Sequence, residues 1–218
     1  MITRLTYEDI NYKTFIEDIV SIHKNVLDWS VLSVLGTDFL RFYYRNVLKN
    51  KYFFCNVYEF KGKIVGFLTF STNSDGILSD IIKNNFFSFF FTVFKSVLKD
   101  PRRLKHILAS AYFVLFQQKK ILPEVNAEII ALAVLPEYRI NINAAQELFK
   151  ATIMEFDRLK VRNVKALVVK DKLDSNKFYS KHGQLTDISF QLFGLNMCVY
   201  NLYVKDILKN IHKIKTNY

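Results

Sequence analysis

The stretch Leu135–Leu148 reads LPEYRININAAQEL: it leaves an apolar run and enters a helical pattern. A turn of that kind aims backbone N–H groups and the positive end of a helix dipole at one point, so the ligand it suits is an anion such as a phosphate. Such turns are ordinarily built on glycine, and here Ile140 and Ile142 stand instead. A β-branched side chain resists positive φ and crowds the approach of a phosphate oxygen. Asn141 and Asn143 offset part of that loss, because asparagine tolerates unusual backbone angles and caps helices. Other chemistry finds less support. His23, His106, His182 and His212 are scattered without ligand spacing, so no metal is expected. Ser175 and Ser180 have no histidine and acid partner that the sequence identifies.

The elements that must hold this turn follow from periodicity. Ile2–Leu5 reads as a short strand, and Ile10, Phe15, Ile19, Ile22, Val26 and Leu27 fall mostly on one helical face. Trp29–Asn50 carries a second helix. YFFCNVYEF and KIVGFLTFST flank Lys61–Gly62, a hairpin signal. Gly76–Pro123 behaves differently: two apolar helical runs on either side of Asp100–Pro101, a good helix start, predict an inserted helical hairpin. Beyond it come a buried strand (NAEIIALAV), an amphipathic helix with Ala145, Leu148, Phe149, Thr152, Ile153 and Phe156 on one side, and a second buried strand (VKALVVK). A short helix then ends at Gly183 as its C-cap, two antiparallel strands follow around Gly194, and a basic terminal helix of about residues 205–218 is expected to fray. The prediction is one α/β domain over 1–218 with a mixed, mostly antiparallel sheet flanked by helices and an insertion at about 76–123.

At Val134, Pro136, Tyr138, Arg139, Ile142 and Ala144 the chain follows the pattern V-x-P-x-Y-R-x-x-G-x-G/A that runs from strand to helix. Ser175, Phe178, Tyr179, Lys181 and Gly183 follow a second pattern, in which an asparagine and a small residue precede Phe-Tyr-x-K-x-G; Lys172 holds the asparagine's place. Together with the hairpin EFKGKIVGF, these resemble the GNAT acetyltransferase superfamily over nearly the whole chain outside the insert. The resemblance implies acetyl-coenzyme A as co-substrate. Its pyrophosphate would lie on Arg139, Ile140, Asn141, Ile142, Asn143 and Ala144, with Lys172 and Ser175 nearby. Its pantetheine arm would pair with Leu132, Ala133 and Val134, one N–H of which faces the thioester carbonyl. The resemblance makes Tyr179 the acid that protonates the departing thiolate and Glu128 the base that takes the amine's proton.

Composition narrows the partners. The net charge is +11 with 50% hydrophobic residues, which suits a basic surface, an anionic lipid or a polyphosphate ligand. No nucleic-acid signature is present, and no nucleic acid partner is expected. Cys55 and Cys198 read as small reduced hydrophobes, and the N-terminus has no apolar signal core, so a cytoplasmic protein is the default expectation. Phe86, Phe87, Phe89, Phe90, Phe91 and Phe94 surround most of one helix, which is then buried or lies in lipid. The segment 86–116 is accordingly read as a lid or homodimer contact, a peripheral membrane contact, or a greasy substrate pocket. Three functions follow: an N-acetyltransferase acting by direct attack of a small-molecule or amino-sugar amine, a non-catalytic coenzyme A-binding or scaffold protein, or a membrane-surface acyltransferase for a lipid-borne amine or a longer acyl chain.

Overall fold

The computed structural model describes residues 1–6, 8, 12–113, 121–139, 142–192 and 194–215; of residues 12, 110, 111 and 212–215 it describes the backbone alone. Ile10, Ile140 and Asn141, and the last residues of the 86–116 segment, lie outside the described residues. The elements run β1 (Ile2–Leu5), α1 (Tyr12–Val26), α2 (Val31–Leu35), α3 (Thr37–Val47), β2 (Phe53–Phe60), β3 (Lys63–Ser71), α4 (Ile77–Asn84), α5 (Phe86–Lys99), α6 (Arg103–Tyr112), β4 (Glu128–Val134), α7 (Ala144–Arg158), β5 (Asn163–Val169), α8 (Leu173–Ser180), β6 (Gln184–Leu192), β7 (Leu195–Tyr203) and α9 (Val204–Lys215). Seven strands form one sheet in the order β1-β2-β3-β4-β5-β7-β6. All neighbours are antiparallel except β4 and β5. This is the mixed, mostly antiparallel α/β sheet that the sequence predicts.

Alternation along the strands separates two cores. On β3, Leu68 and Phe70 point to one face and Phe67 to the other, and every residue from Ile64 onward is buried. The first face packs against α7 and α9 through Leu148, Phe149, Ile153, Phe156 and Ile207. The second packs against α1, α3 and α4 through Ile16, Ile19, Leu40, Tyr44 and Ile81. Each such buried side chain contributes about 1.5–3 kcal/mol relative to exposure.

Four local expectations change. Trp29–Asn50 is two helices, because Gly36 breaks it at φ 100 and any Cβ there would meet the Arg103 guanidinium at 3.1 Å. The described residues of the insert hold three helices: Asp100 does cap the turn entering α6 by accepting from the Arg102 N–H at 3.1 Å, but Ile77–Asn84 is a further helix before the phenylalanines. Gly183 is not a left-handed cap. A Cβ there would lie 2.4 Å from Leu202 Cδ2, so glycine answers close packing on β7. The terminal helix docks, with Val204 and Ile207 buried and Leu208 and Ile211 against the same core.

A polar chain sits inside the α1–α3 layer. Buried His23 bonds the Tyr44 hydroxyl through Nδ1 at 2.6 Å and the Ser30 hydroxyl through Nε2 at 2.8 Å. The Ser30 hydroxyl also accepts from the Ser33 N–H at 3.2 Å and so caps α2. Burial, helped by the neighbouring Lys24 charge, pushes His23 down from 6.5 to about 4. A histidine depressed in the fold gives stability that is complete above 6.5 and is lost as pH falls towards 4. The loss is on the order of 3 kcal/mol. Urea unfolding between pH 7 and pH 4 is therefore expected to follow a shallower pH slope in His23→Gln than in the parent chain; equal slopes would contradict the assignment.

Candidate active site

The site begins with a defect in the sheet. In β4, Ala131 pairs with Thr69 and Ile129 with Phe70, which leaves Ile130 as an extra residue. A bulge bends its strand and increases its twist. At that point β4 loses its other neighbour: only Glu128 and Ile129 pair with β5, opposite Lys165 and Ala166. β5 itself runs straight, held by β7 along Asn163–Val169. The two parallel strands therefore part beyond Ile129.

Hydrogen-bond alternation decides which groups face the gap. The Leu135 N–H donates to Val65 O at 2.9 Å, and Ala133 stands opposite Phe67 two residues earlier. In an antiparallel ladder, Ala133 then spends its N–H and carbonyl on β3, while Leu132 and Val134 turn theirs away, towards the gap. Of the three residues expected to pair with a pantetheine arm, Leu132 and Val134 present such groups and Ala133 does not. The Val134 carbonyl accepts from Arg139 Nε at 3.0 Å, which ties the loop to the strand end.

The loop answers part of the question raised by its missing glycines. Ile142 is half-buried and packs against the core under α7, so its side chain is turned inward. The left-handed conformation falls on Asn143, at φ 46 and ψ 29, and Asn143 makes no side-chain cap. Ala144 is completely buried. The first-turn amides of α7 therefore receive no side-chain cap from Asn143. They form the positive end of a helix of 15 residues.

Tyr179 lies in α8, buried against Phe149, Phe178 and Tyr200. Burial raises its phenol well above the ordinary tyrosine value, which keeps the proton on the oxygen. Glu128 is not the exposed strand-end charge that its position permits. It is half-buried, and burial raises its carboxyl; the Lys165 charge and a Ser74 hydrogen bond pull it back, and Asp75 pushes it up. Lys165 is itself buried and donates to Ile121 O at 3.3 Å. Lys172 is exposed at the start of α8, with Nζ 5.9 Å from the Trp29 ring centre, and Ser175 is exposed on α8. The structure thus gathers Leu132, Val134, Ile142, Asn143, Ala144, Arg139 and Tyr179 around one end of the sheet, with Glu128 at the start of the gap.

One positioning residue was not foreseen. Asn176 Nδ2 donates to the carbonyls of Val169, Lys170 and Lys172 at 2.9, 3.1 and 3.0 Å. Its Oδ1 accepts from the Tyr200 hydroxyl at 3.2 Å and the Cys198 thiol at 3.3 Å. It closes the turn from β5 into α8 and thereby sets where Tyr179 stands. Its only signal in sequence is a polar residue inside an otherwise half-apolar helix. Among the described residues no three His, Cys, Asp or Glu side chains gather as a metal requires. Two surface grooves, of about 350 and 410 Å³, run beside α3 and contain no residue of β4, β5 or α8.

No family model matches the sequence, and no curated protein does. Solved structures are similar in shape. A ribosomal-protein-alanine N-acetyltransferase from Brucella melitensis superposes with TM-score 0.55 at 12% identity, over 93% of this chain and 99% of that one. An N-acetyltransferase from Staphylococcus aureus gives 0.53 at 16% identity, over 94% and 98%. A Desulfovibrio desulfuricans protein described as of the GNAT family gives 0.54 at 10% identity, over 94% and 98%. Likeness at these identities is one of fold, and it extends along almost the whole of each chain. The resemblance carried by the strand-to-helix motif is therefore one of architecture: this chain has the fold of the GNAT acetyltransferases.

Proposed function

We propose that the protein is an N-acetyltransferase that takes acetyl-coenzyme A as co-substrate and a primary amine as acceptor. The observation that carries the reading is the gap beyond Ile129, where Leu132 and Val134 turn backbone groups towards the space between β4 and β5. A pantetheine arm carries amides of the kind that pair with such a strand edge. The uncapped first turn of α7 suits the pyrophosphate, with Ile142 turned away from it. The similar structures named as N-acetyltransferases support the same reaction class.

Acetyl-coenzyme A supplies a thioester, an acyl group already attached to a good leaving sulfur. The chain's own residues do the rest. Glu128 accepts the proton of the incoming ammonium and frees its lone pair for attack. The Leu132 N–H stabilises negative charge on the thioester oxygen. The Tyr179 hydroxyl gives its proton to the departing sulfur; the nitrogen, once bonded to the acyl carbon, sheds its second proton to solvent, solvent reprotonates the phenolate, and no bond forms between enzyme and acyl group. A half-buried base favours an amine that reaches it on a slim stem, which supports a small-molecule or amino-sugar acceptor.

Titration calorimetry with acetyl-coenzyme A tests the reading first: saturable binding is expected, and no heat at millimolar ligand would end it. Glu128→Gln is expected to lower kcat/KM about 100-fold or more. The raised carboxyl also sets a sign. Activity needs the ionised form, so kcat/KM of the parent enzyme rises with pH through a value above the ordinary glutamate range. The glutamine variant should lack that rise. Tyr179→Phe should lower kcat about 100-fold while leaving coenzyme A affinity nearly unchanged. Unchanged turnover across pH would remove Tyr179 from the reaction.

A further inference from the structure

Helix α5 is built inside out. Its inner side carries Phe89 against Phe39 and Phe42, and the buried hydroxyl of Ser96, which donates to Leu35 O at 2.6 Å. Arg103 Nη1 from α6 closes the same corner by donating to Leu35 O at 3.3 Å and to Ser96 Oγ at 3.1 Å. The opposite side is a row of Phe87, Phe91, Phe94 and Leu98, at spacings of four, three and four, which are 86%, 69%, 61% and 67% exposed. On α6, Leu104, Leu108 and Tyr112 continue the exposed apolar surface at intervals of four. Serine inside and phenylalanine outside is the reverse of a water-facing helix. The insert is docked through Phe89 together with the polar corner of Ser96 and Arg103, so the apolar row is held outward; Phe86 packs edge-on against Phe87, and the four side chains of the row stay largely exposed among the described residues. A contiguous apolar face of this kind marks an interaction site.

The charge around the row selects its occupant. Residues 77–112 hold six basic residues, Lys83, Lys95, Lys99, Arg102, Arg103 and Lys105, against two acids, Asp80 and Asp100. Lys95 and Lys99 pair with Asp38 of α3, and Arg102 and Arg103 with Asp100; six basic residues against the three acids Asp38, Asp80 and Asp100 still leave the region basic. A second copy docked by a twofold axis would set this basic rim against itself, in a chain whose net charge is already +11. A bilayer with anionic headgroups meets both features at once: acyl chains receive the phenylalanines, and phosphates receive the lysines. The geometry favours lying on the surface. Among the described residues no single helix is long and apolar enough to cross a membrane, and α4 and α5, which together would suffice, meet at 100°.

We propose that the outer face of α5 and α6 docks this protein onto a bilayer surface containing anionic lipid, with Phe87, Phe91, Phe94 and Leu98 entering the interface. The inference stands apart from acyl transfer, so failure of either leaves the other intact. Co-sedimentation with phosphatidylcholine vesicles, with and without about one-third phosphatidylglycerol, tests it. Binding to the anionic vesicles at low salt is expected, weakening with salt and on neutral vesicles. The triple variant Phe87→Ser, Phe91→Ser, Phe94→Ser should lower it at least tenfold with an unchanged circular dichroism spectrum. The separate pair Lys83→Glu, Lys105→Glu should lower anionic-vesicle binding while leaving the apolar row in place. Absence of binding at low salt overturns the proposal, as does binding indifferent to both variants. So does a dimer in light scattering that the serine variant converts to monomer.

Discussion

The parting of β4 from β5 is the constraint on which the site depends. Two parallel strands pair for as long as both follow the same twist. β5 is committed to β7 over seven residues, and β4 is committed to β3 on its other side. Ile130, the unpaired extra residue of β4, bends one strand where the other cannot follow. Without the bulge, Leu132 and Val134 would be expected to pair with the continuing β5. With it, the sheet opens a strand edge in its interior, next to a helix N-terminus. An unpaired strand edge ordinarily invites aggregation; inside a sheet and flanked by α7 and α8, it is accessible only to something thin enough to enter between two strands.

The rest of the architecture holds the rims of that opening. Arg139 ties the loop back to the Val134 carbonyl, and Asn176 ties three carbonyls of the β5–α8 turn to one side chain. Each such bond contributes only about 0.5–1.5 kcal/mol net, and their effect is to fix the geometry of the rims. Glu128 and Tyr179 share a principle despite opposite roles. Burial raises both, which keeps the phenol a proton donor at all working pH values and makes the carboxylate a stronger base. Lys165 and Ser74 set how far the carboxyl is raised, because both favour its charged form.

Much of this was legible in the residues and some was not, for separable reasons. The β2–β3 hairpin declares itself through Lys61–Gly62, and β4, β5 and α7 through apolar runs of the right period. The loop could be located from Pro136, Tyr138, Arg139 and Ala144 because its geometry needs those types. Ile130 carries no mark of a bulge: a strand residue is set aside by its neighbours' register, which is a property of pairs of strands. Asn176 looks like a solvated helix residue because its five partners come from three elements. Gly36 carries no mark of a helix break, because the apolar pattern continues on both sides of it, and only its positive φ and the Arg103 guanidinium beside it show why glycine stands there.

The phenylalanine helix teaches the complementary lesson. Its composition alone implies burial or lipid contact on all sides, yet among the described residues only one side is covered, and by a mixture of Phe89 with the polar Ser96. Phe89, Ser96 and Arg103 already supply the docked side of the helix, so its outward phenylalanines add little to the burial that holds the fold. They oppose solubility and stay exposed because the polar corner at Leu35, Ser96 and Arg103 fixes the helix's rotation. Turning α5 to hide Phe87, Phe91 and Phe94 would bury Lys95 or break that corner, and removing one partner from a buried hydrogen-bonded set costs about 1–3 kcal/mol. The rotation held by that corner points an apolar row in a basic region away from the rest of the protein.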